Sequence, residues 1–283
     1  MIRILAASVL VVFAGLWIVG SQLTQPTPAA MALPDGNGRP VSISSSATVT
    51  LGGTYWAPPT FGASAILLLH GNGADRTQMN ALSAVLREEG YGVLAIDFRG
   101  HGRSTPLSKS FGLFEADDAA AALSWLRRCS PGSRIGIIGF SLGGAASLLG
   151  RNGPLEADAL VLEGVYPDIR HAIRNRIATR LGAFAAWLIE PLLSFQSLPR
   201  FGVWPSQIAP IRAATRLHSP VMVVGGAADT NTPPEETRAL YRSINAPKQL
   251  LILPGIGHDE LGRTVPEALS LPLLAFLNRH LRP

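Results

Sequence analysis

Cysteine is nearly absent from this chain: among 283 residues there is one, Cys129. A lone thiol cannot close a disulfide within the chain, so a disulfide framework is excluded. The count does not assign a compartment, because proteins of reduced compartments and exported proteins can both lack disulfides. Hydrophobic residues make up 47% of the sequence, so a large core can form by packing instead.

Charged residues are also scarce, at 15% of the sequence, and lysine is almost missing: Lys109 and Lys248 stand against 22 arginines. The formal net charge is +5, yet the basic residues do not form a run, and no DNA- or RNA-binding motif occurs. We therefore expect no nucleic-acid partner. A mild attraction to anionic membrane surfaces explains the positive charge better than nucleic-acid binding does.

Motifs for metals and nucleotides are missing as well. Neither H-E-x-x-H nor C-x-x-C occurs, so no metal site is predicted. The glycine-rich stretch His70-Gly71-Asn72-Gly73 could belong to a phosphate loop, but no G-K-[ST] follows it, and we reject that interpretation. We expect a protein without a cofactor.

The first segment that stands out is apolar and N-terminal. Arg3 precedes 17 residues, 4–20, that carry no charge. This length is short for a membrane-spanning helix and slightly long for the core of a signal peptide. We favour an uncleaved, membrane-embedded signal anchor over residues 1–23, with the domain that follows exported to the periplasm or the outside; a cleaved signal peptide is the alternative. Residues 24–40 are rich in Pro, Ala, Gly and Asn and are predicted to be a linker.

From residue 41 onward, predicted strands alternate with predicted helices. This pattern indicates one α/β domain, 41–283, with a mostly parallel, doubly wound sheet. Two strands open the domain as a hairpin, and the six that follow are short apolar runs typical of buried parallel strands. The predicted strands are 41–43, 48–56, 65–69, 92–98, 134–138, 159–163, 221–225 and 249–253.

One stretch interrupts the alternation after the sixth strand. More than fifty residues separate it from the seventh strand; 170–190 are predicted to be helical, and prolines break up the remainder. A loop of that length is usually functional or a subdomain, and we interpret 166–216 as a helical cap. The cap holds seven arginines and two acids. Its basic face is either simply solvated or part of a lid that lies against an acidic membrane surface.

The pattern G-x-S-x-G occurs between a predicted strand and a predicted helix, at Gly139-Phe140-Ser141-Leu142-Gly143. This is the context of a nucleophile elbow, a strained turn that lifts a serine hydroxyl above the sheet. Glycines are needed two positions to either side because a Cβ would clash there. The pattern alone is weak, since a tight glycine-rich turn can also serve packing; in this context we predict that Ser141 is a catalytic nucleophile.

A serine nucleophile needs a base to take its proton and an acid to orient that base. His258 follows the last predicted strand in a glycine-flanked loop and is the predicted base. His101 is expected to be a structural loop residue, and His171 and His280 surface or cap residues. His218 precedes a strand and so lies at the wrong end of it. Asp229 follows the seventh strand and is the predicted acid, which gives the chain order Ser141, Asp229, His258. Glu163, at the end of the sixth strand, is the competing acid, and Asp168 is a weaker one.

The oxyanion that forms during acyl transfer needs two backbone N–H donors. Leu142, directly after the predicted nucleophile, supplies one of them. The second is expected in the loop after the strand 65–69, where Asn72 is the best placed residue. Glycines on either side of Asn72 allow the chain to approach a substrate closely.

Taken in order, these motifs resemble those of α/β-hydrolase-fold serine hydrolases: H-G-N-G at 70–73, D-F-R-G-H-G-R-S at 97–104, G-F-S-L-G-G at 139–144, then Asp229 and His258. The similarity runs from about residue 41 to the C-terminus, and the H-G-N loop is most similar to that of the serine aminopeptidase and monoglyceride lipase group. The resemblance implies the triad roles given above. It also implies a lid after the sixth strand and a glutamate at Glu163 that is not the triad acid.

The sequence therefore predicts an α/β-hydrolase fold with a helical cap after strand 6, preceded by a membrane helix. The expected function is hydrolysis of a small carboxylic ester or related acyl compound through an acyl-enzyme, next to a membrane contacted by the N-terminal helix and by the cap. Peptide or thioester hydrolysis and acyl transfer need the same residues and stay open. The alternative from another class is a non-catalytic hydrolase fold that serves as an interaction domain at the membrane.

Overall fold

The computed structural model describes residues 2–29 and 37–282. Its eight main strands are β1 (Arg39–Ser46), β2 (Val49–Trp56), β3 (Ala65–Leu69), β4 (Gly92–Ile96), β5 (Ile135–Phe140), β6 (Ala159–Glu163), β7 (Val221–Gly226) and β8 (Lys248–Leu253). They form one sheet in the order β8-β7-β6-β5-β3-β4-β2-β1. Strands β3 to β8 pair in parallel, and the β1–β2 hairpin joins β4 in antiparallel fashion. The mostly parallel sheet predicted from the sequence is confirmed.

Helices cover both faces of this sheet. They are α1 (Ile2–Thr24), α2 (Asn80–Glu88), α3 (Glu115–Cys129), α4 (Leu142–Leu148), α5 (Ile169–Ser194), α6 (Ser197–Phe201), α7 (Pro210–Ala214), α8 (Pro234–Ser243), α9 (His258–Leu261) and α10 (Glu267–Leu281). Along β3, Leu67 and Leu69 face the core beneath α3, α4 and α8, whereas Ile66 and Leu68 face the core beneath α2 and α10. Because both faces are buried, every position of β3 is apolar, which is why the strand could be recognised as a short apolar run.

The segment that follows α1 is hydrogen-bonded to the domain. Thr27–Pro28 forms a short parallel pair with His101–Gly102, in the loop after β4. The Lys109 amide donates to the carbonyl oxygen of Thr24 over 2.8 Å. The end of α1 is therefore fixed against the same loop that carries the R-G-H-G motif.

The sequence predicts a linker over residues 24–40, and the structure differs at both ends of that range. Residues 24–29 are bonded to the loop after β4 as just described. At the other end, β1 begins at Arg39, where its pairing with Tyr55 of β2 starts, rather than at residue 41. Residues 30–36 lie outside the described part of the chain. Proline and glycine content misled the prediction because such segments also run extended along a fold.

The segment between β6 and β7 consists mostly of helices α5, α6 and α7, with a 3₁₀ turn at Pro205–Gln207. Helix α5 is interrupted at Gly182, which has φ +84° and ψ 166°. No atom lies within 4 Å of the position a Cβ would take at Gly182. The glycine is thus needed for its left-handed backbone and not for space, and it divides α5 into two helical halves.

The C-terminal half of α1 lies against the end of this helical segment. Gln196 Nε2 donates to the carbonyl oxygen of Leu16 over 3.0 Å. Arg200 Nη2 donates to the carbonyl oxygen of Trp17 over 2.8 Å, and its guanidinium carbon lies 4.1 Å from the centre of a Trp17 ring. These contacts join α1 to the cap.

Around and beyond the Gly182 break, α5 presents four large apolar side chains to solvent. We refer to them as the apolar cap face: Leu181, Phe184, Trp187 and Leu188. Phe184 is 77% exposed and Trp187 is 68% exposed, and their rings stack with centroids 6.2 Å apart. A cluster of exposed aromatic side chains is unusual on a folded domain unless something binds it.

By length and composition, one helical stretch of the described residues, 169–201, is able to cross a membrane. Its first residues nevertheless belong to the domain, because Ile169 and Ala172 are part of the core beneath α4. Arg170, Arg174 and Glu190 form ion pairs within the same stretch. We therefore treat it as a cap helix on the sheet.

Candidate active site

Ser141 lies between β5 and α4 in a strained turn, with φ 49° and ψ −107°. A Cβ at Gly139 would stand 2.5 Å from the amide nitrogen of Gly144, and a Cβ at Gly143 would stand 2.2 Å from the carbonyl oxygen of Leu69. Both glycines are therefore required by crowding, as the G-x-S-x-G pattern predicts. The contact with Leu69 also brings the elbow against the end of β3, the strand that precedes the H-G-N-G loop.

His258 and Asp229 are brought together from the ends of neighbouring strands. His258 Nδ1 and Asp229 Oδ2 are hydrogen-bonded over 2.7 Å. The other carboxylate oxygen of Asp229 accepts from the amides of Asn231 over 2.8 Å and Thr232 over 2.7 Å. Three partners thus hold the Asp229 carboxylate in one orientation, and this carboxylate in turn fixes the His258 ring with Nδ1 carrying the proton.

The same edge of the sheet carries Ser141. The ring of Phe140, its neighbour in the chain, lies 4.9 Å from the ring of His258 between centroids. The Ser141 amide donates to the carbonyl oxygen of Glu163 over 2.8 Å, which joins the elbow to the end of β6. Strands β5, β7 and β8 therefore deliver Ser141, Asp229 and His258 to their common carboxyl edge, as expected for reacting groups in such a sheet.

Gly164 is a supporting residue that sequence reasoning missed. It follows β6 with φ +56°, and a Cβ there would stand 3.2 Å from His258 Cε1. The imidazole ring therefore packs directly on the backbone of this glycine. The available signal was a glycine immediately after a buried strand, a position that often marks a close approach by another group.

Glu163 and Asp168, the two other candidates for the triad acid, have different surroundings. Glu163 is 3% exposed, and its Oε1 has no hydrogen-bond partner among the described residues. Burial raises the pKa of Glu163 to about 8, so its carboxyl group is neutral at pH 7 and cannot act as the anion beside His258. Asp168 caps α5 by accepting from the His171 amide over 3.0 Å, and its other oxygen bonds His171 Nδ1 over 2.9 Å. Neither acid is paired with His258.

Two further buried histidines hold the H-G-N-G loop. His70 Nε2 accepts from the Phe98 amide over 3.1 Å, and His101 Nε2 accepts from the Gly73 amide over 3.1 Å. Burial lowers the pKa of His101 to about 3, so the ring is neutral and able to accept this hydrogen bond. The expectation that His101 is a structural loop residue agrees with this arrangement.

The backbone amides of the H-G-N-G loop differ in whether they have a hydrogen-bond acceptor within the protein. The Gly71 amide donates to Gln78 Oε1 over 2.8 Å, and the Gly73 amide donates to His101. The Asn72 amide lies between these two, on an exposed residue. Leu142 is the first residue of α4, and amides in the first turn of a helix have no acceptor within the helix. The two donors predicted for an oxyanion therefore lie in neighbouring loops at the ends of β3 and β5.

The three residues of the predicted triad are buried. Ser141 is 3% exposed, Asp229 is 3% exposed and His258 is 9% exposed. The first half of α5 lies over the loop after β7, because Asn175 Nδ2 donates to the carbonyl oxygen of Asn231 over 3.1 Å. This half of the cap therefore lies next to the loop that carries Asp229.

The mostly parallel eight-stranded sheet and its helices have the α/β-hydrolase fold. Residues 64–193 match the family model described as alpha/beta hydrolase fold. The chain is 31% identical over 241 residues to the protein Rv2307c of Mycobacterium tuberculosis strain H37Rv, a match that covers 83% of this chain and 77% of the relative. The chain belongs to the α/β-hydrolase fold family.

More distant relatives share the same fold. The human protein ABHD12B is 27% identical over 214 residues, covering 69% of this chain and 56% of that protein. Among solved structures, an esterase from Pyrococcus furiosus, Pf2001, superimposes with a TM-score of 0.75 at 23% identity, covering 92% of this chain and 98% of that chain. The resemblance to the serine aminopeptidase and monoglyceride lipase group stays a prediction.

Proposed function

We propose that the protein is a serine esterase in which Ser141 is the nucleophile, His258 the base and Asp229 the acid. The observation that carries this proposal is the His258 Nδ1–Asp229 Oδ2 hydrogen bond of 2.7 Å at the edge where the strained Ser141 turn ends β5. A turn with φ 49° on a non-glycine residue costs stability, and such strain is found mainly at functional sites.

The chemistry follows from these positions. His258 Nε2 takes the proton of Ser141 Oγ as that oxygen attacks the ester carbonyl carbon. The negative charge then on the carbonyl oxygen is held by the amides of Asn72 and Leu142. Collapse of this intermediate releases the alcohol, which leaves with the proton from His258, and the acyl group stays on Ser141. Water attacks the acyl-enzyme as His258 takes one of its protons, and the acid is released as His258 passes that proton to Ser141 Oγ.

An ester is the substrate class that the comparisons favour, because the solved structures with this fold include esterases from Pyrococcus furiosus and Thermogutta terrifontis. A peptidase is the second candidate, since a segment of dipeptidyl aminopeptidase BIII of Pseudoxanthomonas mexicana is 25% identical over 211 residues. That match covers 30% of the peptidase and 68% of this chain. Thioester hydrolysis and acyl transfer use the same triad.

The proposal is tested with a fluorophosphonate probe and p-nitrophenyl esters on the full chain. We expect a single covalent adduct per chain and hydrolysis of p-nitrophenyl butyrate above the rate of a heat-denatured control, because an activated serine reacts with both. Absence of an adduct, together with no hydrolysis of any ester from acetate to dodecanoate, would contradict an esterase and favour the non-catalytic interaction domain.

We also propose that the protein sits on a membrane, with α1 embedded as an anchor and the apolar cap face against the lipid, the catalytic domain being exported to the periplasm or outside. The support is the exposure of Phe184 and Trp187 on the cap helix, together with exposed apolar side chains on α1, such as Leu10 and Phe13. The exposed Arg180 stands beside the apolar cap face, as expected next to anionic headgroups.

Hydrogen–deuterium exchange on the full chain tests the cap contact separately from α1. Vesicles of phosphatidylcholine and phosphatidylglycerol, at a ratio of about 3:1, should slow amide exchange over residues 183–194 by about threefold or more. The double variant Phe184→Asp, Trp187→Asp should lose this protection. Phe61→Asp is the matched control, because Phe61 is 92% exposed in the loop before β3, at the other end of the strands. Unchanged exchange over 183–194 in vesicle-bound wild type would leave α1 as the sole membrane contact.

A further inference from the structure

Arg176 lies in the first half of α5, the part of the cap that contacts the loop after β7. Its neighbour Asn175 fixes this half of the helix over the loop after β7, with Nδ2 donating to Asn231 O over 3.1 Å and to Glu236 Oε1 over 2.8 Å. Arg176 is therefore held in place on a helix whose position is set by contacts with the loop that carries Asp229.

The neighbouring cap arginines have partners, and Arg176 differs from them. Arg170 and Arg174 both bond the carboxylate of Glu190, over 2.8 Å and 3.2 Å. Arg176 Nη1 donates over 2.9 Å to the carbonyl oxygen of Ala172, in the preceding turn of its own helix. Within residues 2–29 and 37–282 the Arg176 guanidinium takes part in no ion pair at 4.0 Å or less. Most of the five N–H donors of Arg176 therefore have no acceptor among the described residues and can bind a ligand.

Arg176 is half-buried where the first half of α5 lies against the loop after β7. Burial lowers the pKa of Arg176, and the nearby Tyr166, Asp229 and Asp259 act in the opposite direction. The guanidinium is therefore partly desolvated and lies within electrostatic range of the proposed triad acid. Arg180, one turn further along the same helix, is exposed. A half-buried cation that lacks an ion-pair partner binds an anion more strongly than a fully solvated one does, because part of its hydration is already lost.

We propose that the Arg176 guanidinium binds a negatively charged group, a carboxylate or a phosphate, on the ester that Ser141 attacks. The inference rests on the proposed esterase function and names its substrate class: an ester that carries a second, anionic group. A guanidinium presents a planar fork of N–H donors that matches the oxygens of either anion. Because Ser141 and Asp229 are buried and Arg176 is half-buried, such a contact forms in a partly desolvated space, where it favours a charged substrate over a neutral one of the same length.

Matched pairs of esters test this preference on the full chain. The first pair places the charge on the acyl side: mono-p-nitrophenyl adipate against p-nitrophenyl hexanoate. The second places it on the alcohol side: butyryl glycerol phosphate against monobutyrylglycerol. We expect kcat/KM to be about tenfold or more higher for the charged member of at least one pair, expressed mainly in KM. The pair that shows the preference identifies which side of the ester, and which anion, Arg176 recognises.

Variants separate recognition from a structural role. Arg176→Met should bring the charged-to-neutral ratio close to one, whereas Arg176→Lys should retain part of the preference. The control is Arg180→Met, which removes a cation from the exposed side of the same helix and should leave the ratio as in wild type. If Arg176 served only to support Asp229, Arg176→Met would lower kcat/KM for both members of a pair equally and leave the ratio unchanged.

The failures of the two proposals are distinguishable. Hydrolysis of the neutral esters without preference for either charged one, or a preference that persists in Arg176→Met, overturns the anionic subsite and leaves the esterase in place. Wild-type protein that forms no fluorophosphonate adduct and hydrolyses neither these four esters nor any p-nitrophenyl ester from acetate to dodecanoate overturns both. The wild-type ratio is measured without any variant, so the proposal can be refuted even when Arg176→Met does not fold.

Discussion

Replacement of Ser141 by alanine is expected to lower kcat for ester hydrolysis by about a millionfold, to the background rate. The reason is that no other group at the carboxyl edge can form the acyl-enzyme once the hydroxyl is removed. The change deletes one oxygen atom and leaves Gly139 and Gly143, which the turn requires, in place. We therefore expect Ser141→Ala to fold, with an unfolding temperature close to that of wild type.

The measurement is covalent labelling by a fluorophosphonate, followed by mass spectrometry of the adduct. Ser147→Ala is the matched control: Ser147 is also buried in α4, and its hydroxyl donates to the carbonyl oxygen of Gly144 over 2.7 Å. Wild type and Ser147→Ala should be labelled and Ser141→Ala should not. An adduct on folded Ser141→Ala would show that the nucleophile lies elsewhere.

Replacement of Asp229 by asparagine has the second largest expected effect, a loss of about 10⁴-fold in kcat. An asparagine fills the same volume, and its carbonyl oxygen can still accept from the amides of Asn231 and Thr232. Its amide nitrogen would then face His258 Nδ1 and donate to it. This favours the tautomer with the proton on Nε2, which is unable to accept the proton of Ser141.

Glu163→Gln is the control for Asp229→Asn, because it makes the same chemical change at the other acid at the sheet edge. Glu163 is neutral at pH 7 through its raised pKa, so an amide there alters no charge. We expect kcat/KM for p-nitrophenyl butyrate to change by about threefold or less. If Glu163→Gln lost more activity than Asp229→Asn at the same pH, Glu163 and not Asp229 would be the acid.

The sequence was most informative where local crowding and burial dictate the residues. Strands β3 and β5 could be recognised because they are apolar at every position, and the elbow because a Cβ at Gly139 or Gly143 would collide with backbone atoms. Both signals are contained in a few consecutive residues. The parallel pairing of these strands then follows from general rules for α/β domains, whereas their order in the sheet was not predicted.

Other features depend on contacts between distant segments and could not be predicted. Asp229 and Glu163 both follow strands, and only the tertiary packing shows that one is paired with His258 while the other is buried without a partner at Oε1. Arg176 is one of seven cap arginines in the sequence, and nothing local distinguishes it from Arg170, whose partner Glu190 lies 20 residues further along the chain. The pairing of Thr27–Pro28 with His101–Gly102, 74 residues further along the chain, left no local signal either.

The attachment of residues 24–29 decides where the protein can be shortened. They pair with His101–Gly102, and His101 accepts the hydrogen bond of the Gly73 amide, next to Asn72. A truncation at β1 would remove this outer brace and loosen the proposed oxyanion loop, although it deletes no predicted catalytic residue. A truncation inside α1, before Thr24, keeps the brace intact. We therefore expect that cutting the proposed anchor α1 before Thr24, with the segment after it left in place, yields a folded and water-soluble form of the protein.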